Sequence, residues 1–468
     1  MVLTGNSLDR NFLVRTSATD SRGCSKSAAF ARRVLYYRRA PVFALLDVLI
    51  VLTLRSVIKA EHSNFVGDFF VSIETANSGA ASFDLVIIGT GLAGYGLARQ
   101  FCKFKPEASV LMITSDDGRE YSKPLLSTGF TKGNDGAALT MFTAEQKAED
   151  LGVIIWTMTE VEALDTETSE LSIKGREGKV GYGALVIAAG ASVIQPPLEG
   201  DALDRVFSVN DLMDYDAFRE AIDRYEVKRV AIIGGGLIGC EFANDLLNGG
   251  FEVDVIDPLG HCLPTMLPEA CGRAVQSGLE GLGARFHFGP LVTRVDRAND
   301  GNRVLVSLND GRQLEADLVV SAVGVRPRTA LAKAAGIATN RGIVTDKYLR
   351  TSAPNVYALG DCAEVEGHVL VYVSPLIAGV RALARTLSGE ETAVDYPAMP
   401  VAIKTPACPT MVAPVPHGAS GEWSFEGESP DIKAEFRSAG GELLGFAVTG
   451  KAMRQKLALQ KELPPLIE

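Results

Sequence analysis

Two glycine-rich loops in this chain have the spacing that binds the diphosphate of a dinucleotide. The first, Gly-x-Gly-x-x-Gly at 89–94, follows the apolar segment 83–88, and the second, at 234–239, follows the apolar segment 230–233. The first glycine of such a loop permits a tight turn, the second lets the backbone approach a pyrophosphate, and the third lets the helix pack against the strand. Two loops predict two dinucleotides, and a flavin and a nicotinamide that exchange a hydride are the first hypothesis.

The same geometry indicates which residues of the loops contact the cofactors. The phosphates lie at the amino end of the helix that follows each loop, where free N–H groups and the helix dipole favour negative charge. A turn without a ligand is the alternative for either loop alone. We assign to the two cofactor sites Gly89, Gly91, Leu92, Ala93, Gly94, Gly234, Gly236, Leu237, Ile238 and Gly239.

An acidic residue follows the second apolar segment of each unit. Asp116 comes after the segment 110–113, with Asp117 as the neighbouring alternative, and Asp257 comes after 253–256. A carboxylate at this position binds the ribose hydroxyls of the adenosine half. In the second unit it would also repel a 2′-phosphate, and the two residues after it supply no cation to attract one. The sequence therefore favours NADH over NADPH.

Two later segments bear on which loop binds the flavin. Residues 357–361 predict a strand that ends in a turn of Gly360 and Asp361, where Asp361 would contact the ribityl chain of a flavin. Ser374 predicts an N-cap and Pro375 the first position of a helix, whose positive end would face the pyrimidine edge of the ring. An ordinary turn and a capped helix without a ligand are the alternatives for each segment alone.

Three longer stretches, residues 122–130, 239–246 and 404–409, are more specific than the glycine loops, and residues 359–365 accompany them. On these stretches the chain resembles the two-dinucleotide flavoprotein reductases of the pyridine nucleotide–disulfide oxidoreductase superfamily. Within that superfamily it is most similar to the bacterial rubredoxin–NAD reductases. The resemblance extends from near Phe83 to the C-terminus.

The resemblance implies FAD at the first loop, NADH at the second loop, and an FAD domain interrupted by the NAD(H) domain. The expected fold is α/β, with two Rossmann-like dinucleotide-binding domains and a C-terminal α+β interface domain. We expect the FAD domain in residues 81–200 and 320–395, the NAD(H) domain in 201–319, and the C-terminal domain in 396–468.

Segments 185–190 and 318–324 resemble the two crossover strands at the domain junctions, which adds Ala189, Gly190 and Gly324 to the expected cofactor-binding residues. Relatives that reduce ferredoxin tend to carry a tryptophan before the last FAD helix. Here Val373 takes that place, and we expect it to lie against the flavin. This departure and the presence of Thr128 where those relatives carry a lysine both favour a rubredoxin partner over a [2Fe–2S] ferredoxin.

Three charged residues are the candidate catalytic residues, each also expected to bind a cofactor. Glu241 would contact the nicotinamide, Lys123 would contact the flavin, and Lys404 would reach the flavin from the C-terminal domain. The alternatives are a helix carboxylate that favours the dipole for Glu241 and solvated lysines for the other two. Thr128 replaces a lysine that usually pairs with the counterpart of Glu241, so the base that pairs with Glu241 is left open.

The cysteines argue against a disulfide reductase. The chain has seven cysteines, and none of them forms a Cys-x-x-Cys or Cys-x-x-x-x-Cys pair. A redox disulfide needs an attacking and a resolving thiol near the flavin, and residues 121–130 hold no cysteine. The odd count and scattered spacing indicate reduced thiols in the cytoplasm. No Cys/His spacing suits a metal, so we expect no metal site.

The net charge gives no indication of a nucleic-acid partner, and we expect none. The net charge is −11 at pH 7, whereas nucleic-acid binding requires basic patches. Rubredoxins are acidic as a family, so an acidic reductase needs a local basic patch for docking, because like charges slow encounter. We expect that patch around Lys404, Lys433 and Arg437.

Residues 1–80 do not match the resemblance. They contain two Arg-Arg pairs and then the apolar run 41–54, which is shorter than the roughly 20 residues of a membrane span. A start assigned too far upstream is the favoured explanation, and a short anchor and a disordered tail are the alternatives. Membrane contact is expected nowhere else, because the helical pattern of 452–463 is rich in Lys, Gln and Arg.

The expected function is therefore electron transfer from NADH through FAD to rubredoxin, which in this family feeds alkane hydroxylation or detoxification of oxygen and radicals. Ferredoxin, a nitrite reductase module and a quinone are the alternative acceptors. A non-enzymatic flavoprotein that senses NAD(H) is the alternative of another class.

Overall fold

The computed structural model describes residues 81–299 and 301–467. Interpretations that fall on residues 1–80, including the apolar run 41–54, lie outside the described residues. The strands in chain order are β1 Ala81–Ile88, β2 Val110–Ile113, β3 Glu120–Tyr121, β4 Thr140–Phe142, β5 Ile154–Trp156, β6 Val161–Asp165, β7 Glu170–Ile173, β8 Lys179–Ile187, β9 Ala191–Val193, β10 Val206–Phe207, β11 Arg229–Ile233, β12 Glu252–Asp257, β13 Arg285–Phe288, β14 Val292–Arg297, β15 Val304–Leu308, β16 Gln313–Ala316, β17 Leu318–Ser321, β18 Val325–Pro327, β19 Ile343–Thr345, β20 Val356–Ala358, β21 Ala363–Val365, β22 Val401–Ile403, β23 Thr410–Ala413, β24 Glu422–Glu426, β25 Lys433–Arg437 and β26 Leu443–Thr449.

Ten α-helices and four 3₁₀ helices connect these strands in the described part of the chain. The α-helices are α1 Leu92–Phe104, α2 Gly129–Lys132, α3 Gly136–Leu139, α4 Ala144–Leu151, α5 Leu212–Arg224, α6 Leu237–Asn248, α7 Glu269–Gly281, α8 Ala330–Ala334, α9 Val373–Leu387 and α10 Lys456–Glu462. The 3₁₀ helices are Lys123–Thr128, Leu203–Arg205, Gly360–Cys362 and Gly450–Gln455. None of the described helices is long and apolar enough to cross a lipid bilayer.

The first sheet is built around β1, which carries the first glycine loop at its carboxyl end. Its strand order is β5-β2-β1-β8-β7-β6, and β20 pairs with β8. β1 pairs in parallel with β2 and β8. Leu85, Val86 and Ile87 are buried, as expected for a strand covered on both faces. Because β20 returns to this sheet after the second sheet, the first unit is interrupted by the second.

The second sheet repeats this arrangement around β11 and the second glycine loop. Its order is β10-β17-β11-β12-β13, and every pair is parallel. β17, at 318–321, pairs with β11 and β10, so it belongs to this sheet. The expected boundary between residues 319 and 320 therefore cuts a strand, and the second unit must extend to Ser321.

The C-terminal part of the chain forms a separate antiparallel sheet. Its order is β22-β23-β26-β25-β24, and α10 packs beside it at the end of the chain. The segment 452–463, expected to be a surface helix, is 3₁₀ up to Gln455 and α-helical from Lys456. Two α/β units, each with a core of parallel strands and the first extended by antiparallel β6 and β7, and a C-terminal α+β unit confirm the predicted fold class.

The start of α9 differs from the prediction. The helix begins at Val373 with Tyr372 as its N-cap, so Ser374 is not the cap and Pro375 is its third residue. A proline is tolerated there because the first N–H groups of a helix have no intrahelical acceptor. The prediction was wrong by two residues, although the helix exists and its amino end is near the predicted place.

Two glycines of the second loop provide a direct test of its geometry. A Cβ at Gly239 would overlap the carbonyl oxygen of Gly234, whereas a Cβ at Gly236 would meet no atom within 4 Å. We expect Gly239→Ala to lower the free energy of unfolding by about 1–3 kcal/mol, the usual effect of overpacking. Gly236→Ala should change it by less than about 0.5 kcal/mol. Equal effects in a denaturant titration would contradict this reading of the loop.

Candidate functional site

A cavity of about 1430 Å³ lies at the carboxyl ends of the parallel strands in the first sheet. Ile88, Ile113 and Ile187, which end β1, β2 and β8, form part of its wall. This is where ligands bind in open α/β sheets. The volume exceeds the roughly 300–1,000 Å³ of a pocket for one small ligand, so the cavity has room for a dinucleotide and part of a second molecule.

Residues from all three structural units line this single cavity. The predicted residues found on its wall are Gly89, Gly91, Leu92, Ala93, Asp116, Lys123, Ala189, Gly190, Leu237, Ile238, Glu241, Asp361, Val373 and Lys404. The three candidate catalytic residues are therefore brought together from distant parts of the chain.

The remaining predicted residues do not line the cavity. They are Gly94, Gly234, Gly236, Gly239, Asp257, Gly324 and Gly360. Gly94 and Gly239 instead allow close packing, since a Cβ at either would overlap the first glycine of its own loop. Gly360 packs against Ala93, a residue of the cavity wall, since a Cβ added at Gly360 would lie 3.1 Å from the Cβ of Ala93.

The first loop and Asp116 form one end of the cavity. No atom lies within 4 Å of the point where a Cβ on Gly91 would stand, so the backbone here is open to a ligand. Asp116 Oδ1 accepts hydrogen bonds from Thr90 Oγ1 at 3.2 Å, Thr114 Oγ1 at 2.7 Å and the Gly118 N–H at 2.9 Å. Its Oδ2 accepts none from the described residues, which leaves it for a ribose hydroxyl.

Lys123 and Asp361 are charged groups facing the middle of the cavity. Lys123 Nζ donates a hydrogen bond of 2.9 Å to Asn210 Oδ1. Burial lowers the pKa of Lys123, and the nearby Asp361 partly offsets that effect. Burial likewise raises the pKa of the Asp361 carboxyl, and Lys123 opposes the rise. Both shifts arise because these polar groups line a site removed from water.

Glu241 connects the second unit to the other two. Its Oε2 accepts a hydrogen bond of 2.8 Å from Ser127 Oγ and forms an ion pair with Lys404 Nζ. Its Oε1 accepts the Lys404 backbone N–H at 3.0 Å, and Lys404 Nζ also donates to Ser127 Oγ at 2.8 Å. Lys404 is therefore the base that pairs with Glu241, in place of the lysine that Thr128 replaces. The Thr128 hydroxyl instead donates to Leu125 O.

Two more side chains of α6 make similar connections. Asn244 Oδ1 accepts the Ala407 N–H at 3.1 Å. The buried Asp245 carboxylate accepts the N–H groups of Phe130 at 3.0 Å and Thr131 at 2.7 Å. The three most specific stretches of the sequence therefore contact one another around a single helix.

Asp257 is occupied within its own loop. Its Oδ2 accepts the Gly235 N–H at 2.6 Å and its Oδ1 accepts the Leu259 N–H at 2.7 Å. The Asp257 carboxylate thus fixes the conformation of the second glycine loop. Its negative charge lies next to that loop. Leu237 and Ile238, at the start of α6, extend from this loop to the large cavity.

The predicted basic patch is wrong. Lys404 pairs with Glu241, Lys433 with Glu426 at 3.0 Å and Glu435 at 2.8 Å, and Arg437 with Glu435 and Glu462. The sequence did not show that these carboxylates would lie next to the three cations. Paired charges of opposite sign leave little net field to attract an acidic partner.

Several residues on the cavity wall were not identified from the sequence, among them Ser127, Asn210, Arg328 and Tyr372. Ser127 lies within the specific stretch 122–130, so a signal for it was present. Arg328 donates its backbone N–H to Gly190 O and its Nη1 to Ala189 O at 2.9 Å. Arg328 and Asn210 lie outside the sequence motifs described above, and only the fold brings them to the site.

The described cysteines show no redox pair. All six are free: Cys102, Cys240, Cys262, Cys271, Cys362 and Cys408. None of them lines the cavity. No group of three or more metal-binding side chains occurs among the described residues.

The residues of the cavity fit FAD. The open backbone at Gly91 suits a diphosphate, the free oxygen of Asp116 suits a ribose, and Asp361 faces the space between the first loop and α9. Lys123 supplies a cation that lacks a carboxylate ion pair among the described residues and would interact with the flavin.

Comparison with known proteins also indicates an oxidoreductase that binds FAD. Residues 83–381 match the model of the pyridine nucleotide-disulphide oxidoreductase family, and residues 393–463 match that of the rubredoxin binding C-terminal domain. A rubredoxin-NAD(+) reductase of Alcanivorax borkumensis is 53% identical over 82% of this chain and 99% of its own length. The Acinetobacter baylyi protein of the same name is 44% identical over 82% and 98%.

A solved structure also matches. The ferredoxin reductase for the CYP199A2 system from Rhodopseudomonas palustris has a TM-score of 0.71 and 27% identity, covering 81% of this chain and 95% of its own. Apart from residue 300, both family models fall within the part of the chain that the structure describes. This chain therefore belongs to the pyridine nucleotide-disulphide oxidoreductase family: it is an FAD-dependent oxidoreductase that uses NAD(H) and carries a rubredoxin-binding C-terminal domain.

Proposed function

We propose that this chain is an NADH:rubredoxin reductase. The observation that carries the proposal is the shared cavity, whose wall combines the first glycine loop, the start of α6 and residues 399–404 of the C-terminal unit. Its relatives named rubredoxin-NAD(+) reductase match over nearly their whole length. One NADH and two oxidised rubredoxins give NAD⁺, a proton and two reduced rubredoxins.

Bound FAD would supply the redox chemistry, which is hydride uptake from NADH and one-electron transfer to the acceptor. The protein supplies positions and charges. Lys123 and Lys404 would contact the flavin, and Glu241 would lie beside the nicotinamide and hold Lys404 in place. We propose FAD binding by 81–200 and by the chain after β17 up to residue 395.

The second unit would bind NADH rather than NADPH. The carboxylate of Asp257 lies beside the second glycine loop, where a 2′-phosphate would bring further negative charge. The residues that follow it, Pro258 and Leu259, supply no cation. Electrostatic repulsion without a compensating cation disfavours the phosphorylated nucleotide.

We place the reaction in the cytoplasm, because NADH is supplied there and the described cysteines are free thiols. The reduced rubredoxin would then feed alkane hydroxylation or the detoxification of oxygen. Residues 396–468 would form the acceptor side of the enzyme.

Stopped-flow kinetics under anaerobic conditions test the function. The purified FAD-loaded protein should lose its flavin absorbance rapidly with NADH and far more slowly with NADPH. Rubredoxin should then be reduced, with two equivalents consumed per NADH, and the rate should fall with added salt because docking is electrostatic. Rapid flavin reduction without transfer to rubredoxin would contradict the proposal, and transfer to ferredoxin instead would redirect it.

A double-mutant cycle tests the pairing of Glu241 with Lys404. We expect Glu241→Gln and Lys404→Met to be coupled by about 0.5–3 kcal/mol in the free energy of unfolding, as for groups in one network. Each change should also slow flavin reduction by NADH, because both residues line the cavity. The exposed pair of Glu269 and Arg273, which lies outside the cavity wall, serves as control, with coupling below about 1 kcal/mol. Strictly additive effects at Glu241 and Lys404 would show that the pair is not formed.

Asp361 is tested by its effect on FAD affinity. Asp361→Asn removes the charge next to Lys123 and weakens the acceptor for ribityl hydroxyls. We expect the Kd for FAD to rise about tenfold, equivalent to 1.4 kcal/mol. Fluorescence titration of the apoprotein measures it, with the exposed Asp395→Asn as control. An unchanged Kd would remove Asp361 from the flavin site.

A further inference from the structure

Asn210 is a buried polar residue of the cavity wall that comes from the second unit. It lies just before α5 and is 7% exposed. Its backbone N–H donates a hydrogen bond of 3.0 Å to Asp214 Oδ2. Asp214 is held in turn, since its own N–H donates to Asp211 Oδ1 at 2.9 Å. The amino end of α5 therefore fixes the position of the Asn210 backbone.

The Asn210 side chain contacts the first unit through both ends of its amide. Nδ2 donates a hydrogen bond of 3.0 Å to Ala191 O, at the start of β9. Oδ1 accepts a hydrogen bond of 2.9 Å from Lys123 Nζ. Because a carbonyl oxygen only accepts and an ammonium group only donates, these two partners fix the amide in one orientation. The Lys123 ammonium thereby has a fixed acceptor at the cavity wall.

The two lysines of the cavity wall differ in the charge of their partners. Lys404 forms an ion pair with Glu241, which neutralises it. Lys123 makes no ion pair with any described residue, and its acceptor is a neutral amide. The charged groups that act on Lys123 from further away are Asp361, Arg328, Asp211 and Asp214. The amide of Asn210 therefore holds the ammonium in place without neutralising it.

A neutral acceptor for Lys123 has a consequence for a flavin bound in the cavity. Reduction adds electrons to the flavin ring, and a positive charge fixed beside the ring stabilises the reduced form. A carboxylate at position 210 would accept the same hydrogen bond but would offset the charge of Lys123. An apolar side chain there would keep that charge but leave the flexible lysine without its acceptor. Asparagine meets both requirements.

We propose that Asn210 is a positioning residue that fixes Lys123 against the flavin and preserves its positive charge. This inference rests on the part of the proposed function that places Lys123 at the flavin, and it does not depend on which protein accepts the electrons. Asn210 acts on the flavin through Lys123. Its effect should therefore appear in the reduction potential of bound FAD and should disappear when Lys123 is replaced.

The reduction potential of the flavin tests the proposal without an electron acceptor. Spectroscopic titration of the FAD-loaded protein against a dye of known potential gives the ratio of reduced to oxidised flavin. At a fixed potential, this ratio should fall about tenfold in Asn210→Asp, a shift of about 30 mV for a two-electron couple. In Asn210→Leu it should fall about threefold, because the lysine keeps its charge but loses its acceptor.

Asn309→Asp is the matched control. Asn309 is exposed and lies outside the cavity wall, and its Oδ1 accepts a hydrogen bond of 3.0 Å from the Leu291 N–H. The replacement keeps an acceptor for that bond and adds one negative charge, as Asn210→Asp does at the cavity. The flavin potential of this variant should equal that of the wild type.

A double-mutant cycle separates positioning from a purely structural role. Asn210→Leu should shift the flavin potential when Lys123 is present and should leave it unchanged in the Lys123→Met background. Lys123→Met alone should lower the ratio of reduced to oxidised flavin at least as far as Asn210→Leu does. A residue that only supports the fold, through its bond to Ala191, would have the same effect on the potential in both backgrounds.

The results of this cycle distinguish the role of Asn210 from the role of Lys123. If Lys123→Met shifts the potential and neither variant of Asn210 does, Asn210 is not a positioning residue, while the contact of Lys123 with the flavin stands. If Lys123→Met leaves the potential unchanged, that contact fails and the role of Asn210 fails with it. Equal shifts in Asn210→Asp and Asn309→Asp would also overturn the role, because they would reflect net charge alone. Reduction of rubredoxin is measured separately, so a different acceptor would contradict the proposed function without altering this test.

Discussion

The buried carboxylate of Glu241 is the constraint on which the arrangement of the three units depends. Its side chain is 7% exposed, and a buried charge without partners is strongly destabilising. Its partners come from the two other units, Ser127 from the first and Lys404 from the C-terminal sheet. The carboxylate is satisfied only while all three units hold their positions. The first turn of α6 therefore both follows the second glycine loop and helps to fix the position of the cavity wall.

The rest of α6 extends this constraint. Asn244 and Asp245 lie three and four residues after Glu241, on the same side of the helix, and bind backbone N–H groups of the other two units. A shared helix of this kind matters for hydride transfer, since the reacting atoms must approach to about 3–3.5 Å. Leu237 and Ile238 of the same helix line the cavity. The hydrogen bonds that join the units thus also hold the second glycine loop against the cavity.

Local patterns in the sequence predicted the strands, helices and loops well. The pairing of residues that are distant in sequence was predicted poorly. Glycine spacing and apolar segments identify both loops and their parallel strands because these features depend on neighbouring residues. The partner of Glu241 could not be deduced, since Lys404 is distant in sequence and comes to it only through the packing of another unit. The basic patch failed for the same reason: Lys433 lies on a strand next to carboxylates. A sequence shows how many charges there are, but not which of them neutralise one another.

This distinction explains how an acidic reductase can bind an acidic carrier. The net charge of −11 would repel such a partner from most directions, and only the local field near the flavin must attract it. Where the units pack together, cations such as Lys404 are neutralised by carboxylates and stabilise the assembly. Towards the end of the chain, the exposed Lys461 forms no ion pair with the described residues, so its charge acts on the solvent side. Attraction of an acidic carrier therefore depends on the cations that remain unpaired after folding, and the net charge alone does not report them.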